Sequence, residues 1–316
     1  MSSKKILITG SNGLLGQKLV CALLKRQDVQ IIATSKGENR MINKEDYIYE
    51  SLDITQKEEL QKIMLTHQPD VVINTAAMTN VDACEFEKEA CWNLNVKSVQ
   101  NFIELIEYAK ISAGESSGKI KNCHFIHLST DFVFDGEKGP YKETDDPNPL
   151  SFYSKSKYEA ERIILQSKIK WAIIRTIIIY GVVDNMSRSN VVLWAKDSLE
   201  KKKQINVVDD QFRSPTLSED LADACISAAL KGATGIYHVS GKDIMSILEL
   251  VQRVADFWKL DKSLINPIKS NTLNQPAKRP PRTGFILTKA FSELDYKPHS
   301  FEKGLEILDG QLKRRR

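Results

Sequence analysis

The chain has 316 residues, 41% hydrophobic and 27% charged, which allows a large core without staples and carries no composition that marks disorder. Its formal net charge of +4 comes from interleaved acids and bases, with small runs only at Lys201-Lys202-Lys203 and Lys313-Arg314-Arg315-Arg316, so a nucleic-acid-binding stripe is not expected. The five cysteines lack a CxxC pair and read as buried reduced thiols, and no apolar stretch suffices for a signal peptide or membrane span, which makes the cytoplasm the expected compartment.

In chain order, short β-branched runs alternate with amphipathic stretches, the pattern of a doubly wound α/β fold with a parallel Rossmann sheet. Strands are expected at Lys5–Thr9, Gln30–Thr34, Tyr47–Leu52, Val71–Asn74, Phe125–Ser129 and Ala172–Thr176. Helices are expected at Leu15–Arg26, Lys57–Thr66, Glu85–Tyr108 and Tyr153–Gln166, with a small, polar surface loop at Ala113–Gly118. After Tyr180 the rhythm becomes irregular: helix Val191–Lys202, strand Ile205–Val208, helix Ser218–Leu230, strand Ile236–Val239, helix Ser246–Phe257, the Pro-rich stretch Pro276–Pro281 and a terminal amphipathic piece. We therefore expect a dinucleotide-binding Rossmann domain over 1–176 and a smaller C-terminal substrate-binding subdomain over 177–316, with segments near 204–240 returning to the Rossmann sheet.

The first strand runs into Thr9-Gly10-Ser11-Asn12-Gly13-Leu14-Leu15-Gly16, a GxxGxxG turn that opens the first helix. Glycines there permit a tight turn, close approach of backbone to a diphosphate and close packing of helix on sheet, while the helix N-terminus offers free N–H groups. The second strand ends without the usual ribose-binding acid. Thr34, Ser35, Lys36 and Arg40 stand there instead, which leans the cofactor toward NADPH over NADH. Asp53-Ile54 is read either as a contact to the adenine or as a turn ahead of the Lys57 helix. The run Asn74-Thr75-Ala76-Ala77-Met78-Thr79 ends the fourth strand with small residues and is read either as letting backbone approach the cofactor ribose or as a close-packed turn.

Leu128-Ser129-Thr130-Asp131 ends the fifth strand at the carboxyl edge of the sheet, where open α/β folds bind ligands. Tyr153 and Lys157 follow at i and i+4, about 6 Å apart on one helix face. A positive charge beside the phenol is expected to lower its pKa, so that Tyr153 passes a proton to a carbonyl oxygen with Thr130 as a second donor and Lys157 on the cofactor ribose. The histidines show no HExxH spacing, and His124 and His127 read as structural. No GxSxG elbow is present, and no metal-ligand cluster stands out.

These motifs, together with Asn74–Glu85, Ser129-Thr-Asp-Phe-Val-Phe-Asp-Gly136, Pro140-Tyr-Lys-Glu143 and Arg279-Pro280, resemble the dTDP-4-dehydrorhamnose reductase family, within the extended short-chain dehydrogenase/reductases. The resemblance implies NAD(P)H-dependent reduction of a 4-keto nucleotide sugar. It places Thr130 and Tyr153 at the carbonyl, Lys157 on the cofactor and Asp131 near the sugar, and adds cofactor contacts at Gly13, Leu14, Leu15, Asp53, Ile54, Ala77 and Thr79, beside Gly10 and Gly16 of the glycine turn and Ala76 of the small-residue run. A homodimer is compatible with it. Two departures mark the substrate wall. Ile178 stands where the family carries a substrate-contacting tryptophan, and Arg213 replaces a small residue, expected to reach a diphosphate or lie on the surface. Epimerase or dehydratase chemistry is an alternative expectation, as is a regulatory role like that of the β subunit of methionine adenosyltransferase.

Overall fold

The structure is a computed structural model that describes residues 3–111, 120 and 122–315. The loop expected at Ala113–Gly118 lies outside them. In chain order the larger lobe contains β1 (Lys4–Thr9), α1 (Leu14–Leu23), β2 (Val29–Ser35), β3 (Ile48–Ser51), α2 (Lys57–His67), β4 (Val71–Asn74), α3 (Val81–Phe86), α4 (Lys88–Trp92), α5 (Ser98–Ile111), β5 (His124–Thr130), α6 (Phe152–Gln166) and β6 (Lys170–Thr176). There follow β7 (Ile179–Tyr180), α7 (Val191–Glu200), β8 (Ile205–Val208), β9 (Phe212–Arg213), β10 (Thr216–Leu217), α8 (Ser218–Lys231), β11 (Gly235–His238), β12 (Met245–Ser246), α9 (Ile247–Trp258), β13 (Ile265–Ile268), α10 (Thr288–Leu294) and α11 (Phe301–Arg314).

Seven parallel strands form the main sheet in the order β11-β6-β5-β4-β1-β2-β3. Such a sheet is covered on both faces, so its central strands are apolar on both sides. Ile6 and Ile8 join a core built with α1 and α8, including Leu19, Leu23 and Leu221. Leu7 points the other way, toward Leu60 of α2, Phe102 of α5 and Ile164 of α6. The strand order reverses between β1 and β4, and that switch point opens a crevice at the carboxyl ends of the strands.

The return of the chain to the main sheet is narrower than expected. Only β11 joins it, whereas β8 pairs with β13 in the smaller lobe, whose separate core includes Val192, Leu250, Val254 and Leu305. The single helix expected over Glu85–Tyr108 is also broken. Asn80 caps α3 by accepting from the Ala83 N–H at 3.2 Å, Glu87 leaves helical geometry, and a π turn spans Asn93–Lys97 before α5. The π turn carries Asn95, whose amide bonds the Met78 backbone and the Ser156 hydroxyl of α6.

Helix α6 is fixed at its start and again past its middle. Ser151 and Ser154 form a reciprocal capping box at its start. One turn beyond Lys157, Glu161 receives two hydrogen bonds from Arg175 of β6, at 2.9 and 2.7 Å, and both side chains are buried.

Candidate active site

A cleft of about 510 Å³ lies at the switch point, between the glycine turn, the end of β5, the start of α6 and the segment 183–191 of the smaller lobe. Gly10 has φ +66°, and a Cβ there would meet the Ala76 nitrogen at 2.9 Å, so the chain turns beneath the cleft only with glycine. A Cβ on Gly16 would strike the Gly10 carbonyl at 2.3 Å, which gives Gly16 a packing role. Gly13, the N-cap of α1, supplies no side-chain cap, so the first N–H groups of that helix are left for other acceptors. At the far wall the buried Ser129 hydroxyl has no partner. Uncapped N–H groups beside bare backbone, facing an orphan hydroxyl across the cleft, are a donor set that fits a dinucleotide.

Of the residues singled out in the sequence, Gly10, Gly13, Leu14, Leu15, Ala77, Thr79, Thr130, Asp131, Tyr153, Lys157 and Ile178 line this one cleft together. Gly16, Asp53, Ile54 and Ala76 stand outside this lining. Asp53 accepts from the Thr55 N–H at 3.0 Å in the turn before α2 and pairs with Lys36 at 2.8 Å, and Ile54 is buried beneath the sheet. Asn12 went unnoticed in sequence: it holds the Glu38 carbonyl at 2.7 Å and the Arg40 N–H at 2.9 Å, fixing the loop after β2. Arg188, also unforeseen, reaches from the smaller lobe to the Thr79 hydroxyl at 3.1 Å.

The electrostatics differ from the expectation for an i, i+4 pair. Burial pushes the Tyr153 phenol above its ordinary value, with the neighbouring Thr130 hydroxyl pulling it back. The expected lowering by Lys157 is absent because the Lys157 head turns to β5, where Nζ lies 2.6 Å from the Leu128 carbonyl and 3.0 Å from His127 Nε2. Burial brings Lys157 itself down to about 8.

Asp131 is 2% exposed and fully engaged. It accepts from the Thr130 hydroxyl at 3.1 Å and the Thr283 hydroxyl at 2.5 Å, with Arg213 Nε at 3.7 Å. Arg213 is neither on the surface nor free for a diphosphate. It is 2% exposed, lies over the Phe132 ring and donates to the Pro280 carbonyl at 2.6 Å and the Phe212 carbonyl at 2.7 Å. Ile178, in the tryptophan's place, has φ +29°, a strained conformation for a β-branched residue and one that concentrates at ligand sites.

A parallel sheet in Rossmann order, a glycine turn with uncapped helix N–H groups and a hydroxyl pair at the end of β5 together define an α/β protein of the dinucleotide-binding Rossmann class. The chain belongs to the dTDP-4-dehydrorhamnose reductase family: residues 4–312 match the RmlD substrate binding domain. It is 33% identical over 314 residues to dTDP-4-dehydrorhamnose reductase of Aggregatibacter actinomycetemcomitans, covering 96% of this chain and 97% of that one. It is also 31% identical over 84% of its length to methionine adenosyltransferase 2 subunit beta of Bos taurus, spanning 75% of that protein. Among solved structures, a dTDP-4-dehydrorhamnose reductase of Clostridium acetobutylicum superposes with a TM-score of 0.81 at 28% identity, covering 98% of this chain and 99% of that one. Among the described residues, no helix is long and apolar enough to cross a membrane.

Proposed function

We propose that the protein is an NAD(P)H-dependent reductase of a keto group on a nucleotide sugar, with Tyr153 as the proton donor. The observation that carries this reading is the convergence of Thr130, Tyr153 and Lys157 on one cleft whose other end is the bare glycine turn. The bound nicotinamide supplies the hydride. Gly13 and the start of α1 hold the diphosphate, Lys157 takes the ribose hydroxyls, and Thr130 with Tyr153 holds the carbonyl oxygen. A phenol raised by burial keeps its proton at neutral pH, as a donor to a carbonyl that is gaining negative charge must. The Thr34-Ser35-Lys36 end of β2 supports NADPH over NADH, and comparing kcat/KM for the two cofactors tests that preference.

The reaction is tested by mixing the protein with NADPH and dTDP-4-dehydro-6-deoxy-L-lyxo-hexose and following the nicotinamide absorbance. We expect turnover in the parent, and a loss of roughly 10²–10⁴-fold in kcat for Tyr153→Phe, the range of a general acid. Full activity in that variant would overturn the assignment of the proton donor.

One observation favours a second reading, a regulatory subunit like the methionine adenosyltransferase relatives. The Asp131 carboxylate, which the family resemblance puts at the sugar, is occupied by Thr130, Thr283 and Arg213. Recovery of a stoichiometric enzyme partner by a protein that binds NADPH but turns over no keto sugar would establish that reading instead.

A further inference from the structure

Behind the cleft floor, on β5, the His127 ring is 1% exposed and lies between Asn74 of β4 and Lys157 of α6. The direction of the hydrogen bonds through it can be worked out from the far end. The Thr9 hydroxyl is 2.6 Å from Asn74 Oδ1, and the Thr9 oxygen accepts from the Ala76 N–H at 3.4 Å. The hydroxyl proton therefore goes to Oδ1, which leaves the Asn74 amide nitrogen facing His127 Nδ1 at 3.2 Å. An amide nitrogen only donates, so Nδ1 is the bare nitrogen, and a neutral imidazole then carries its proton on Nε2. That N–H points at Lys157 Nζ, 3.0 Å away, while Nζ donates to the Leu128 carbonyl at 2.6 Å.

A nitrogen that accepts a hydrogen bond has a free lone pair, so Lys157 is an amine in this arrangement. The opposite assignment turns the Asn74 amide over and strands the Thr9 hydroxyl proton in a fully buried place, against the general rule that such groups are paired. A doubly protonated ring would be a cation in the dry interior, and burial holds His127 well below its ordinary value.

The titratable groups that face Lys157 are Tyr153 and Glu161 on its own helix, Cys91 of α4 and His127 of β5. Glu161 favours the ammonium, but both of its oxygens are held by Arg175, and burial outweighs it.

We propose that His127 is a positioning residue for this reaction: its Nε2–H holds Lys157 as a neutral amine drawn back to β5, and Lys157 takes up one proton from solvent as it turns to the ribose hydroxyls of the dinucleotide. The proposal rests on the reading of the cleft as a nicotinamide site. Its first test does not. Nitrogen NMR of histidine-labelled, cofactor-free protein is expected to show His127 as the Nε2–H tautomer at about pH 9, above the Lys157 midpoint of about 8, where Lys157 is mostly amine. An Nδ1–H tautomer overturns the proposal.

Thr9→Val is nearly isosteric and removes the hydroxyl that orients Asn74. The Nδ1–H tautomer is expected to appear, and the Lys157 titration midpoint, followed through its labelled side-chain carbon, to rise by at least about one pH unit. An unmoved midpoint overturns the proposal, and should this variant not fold, the wild-type tautomer still decides. Calorimetry of NADPH binding at about pH 8.5, in two buffers of different ionisation heat, is expected to show uptake of roughly three-quarters of a proton. Binding without uptake overturns the role of His127. Failure of NADPH to bind overturns the cofactor reading, and the tautomer then judges the His127–Lys157 arrangement independently.

Discussion

Arg213 shows what one buried residue does to the carboxylate beside it. Its guanidinium lies against Asp131 in a site closed to water, and it pulls down a carboxyl that burial pushes up. Arg213→Met leaves that carboxyl without a charge partner, a change that costs about 3–5 kcal/mol when one member of a buried pair is removed. The sign with pH follows from the protonation of Asp131. Its pKa is raised in the folded state, so the folded form holds its proton more tightly than the unfolded chain, and the stability tied to that proton is lost as pH rises. Urea unfolding of Arg213→Met is therefore expected to show a smaller loss at about pH 5 than at about pH 8. A penalty that stays the same at both would mean that another group is left unpaired. None of this was visible in sequence, where Arg213 was an isolated basic residue whose partner lies 82 positions upstream.

Among the elements, α6 carries Tyr153 and Lys157, the residues of the proposed proton chemistry, and its placement is what they depend on. Ser151→Ala removes half of the capping box two residues before Tyr153 and is expected to cost about 1 kcal/mol. Glu161→Ala leaves Arg175 buried without its carboxylate and is expected to cost about 3–5 kcal/mol. Denaturant unfolding checks both. Equal, small losses would show that the Glu161–Arg175 pair does not anchor the helix to β6. Here the sequence was partly legible. The Tyr153–Gln166 helix and the YxxxK spacing were plain from periodicity, since i and i+4 share a face whatever surrounds them. The direction of the Lys157 head was not, because it is set by the Leu128 carbonyl and His127 on a strand nearly thirty residues earlier.

Across the whole molecule, the cleft is closed on one side by the larger lobe and on the other by segment 183–191. The lobes are joined beyond it by a two-pronged ion pair, Arg279 to Asp82 at 3.1 and 2.7 Å, and by Arg188 to Thr79. A ligand that bridges the lobes binds the folded state alone. NADPH at about a hundred times its Kd should therefore add roughly 2.7 kcal/mol of stability. At about 2–4 °C per kcal/mol, the melting temperature should rise by roughly 5–10 °C. Differential scanning calorimetry checks this, and no rise at saturating NADPH would argue against a dinucleotide in the cleft. Arg188→Ala, which breaks one link across the opening, is expected to weaken NADPH binding by several-fold, in line with the roughly 0.5–1.5 kcal/mol of an ordinary hydrogen bond.

The sequence by itself determined the Rossmann class, the glycine turn after the first strand and the residue types on which the proposed proton chemistry rests. Those rest on local rules: two-residue and 3.6-residue periodicity, the glycine needed at a positive φ, and hydroxyls at a strand end. Tertiary structure alone decided which of those groups share the cleft, that Asp53 turns to Lys36 and Thr55, that Arg213 closes on Asp131, and that Lys157 retreats to His127. The last two are contacts between buried polar groups far apart in the chain. Such groups are costly to leave unpaired, so they take whichever partner the packing of the whole molecule brings within reach.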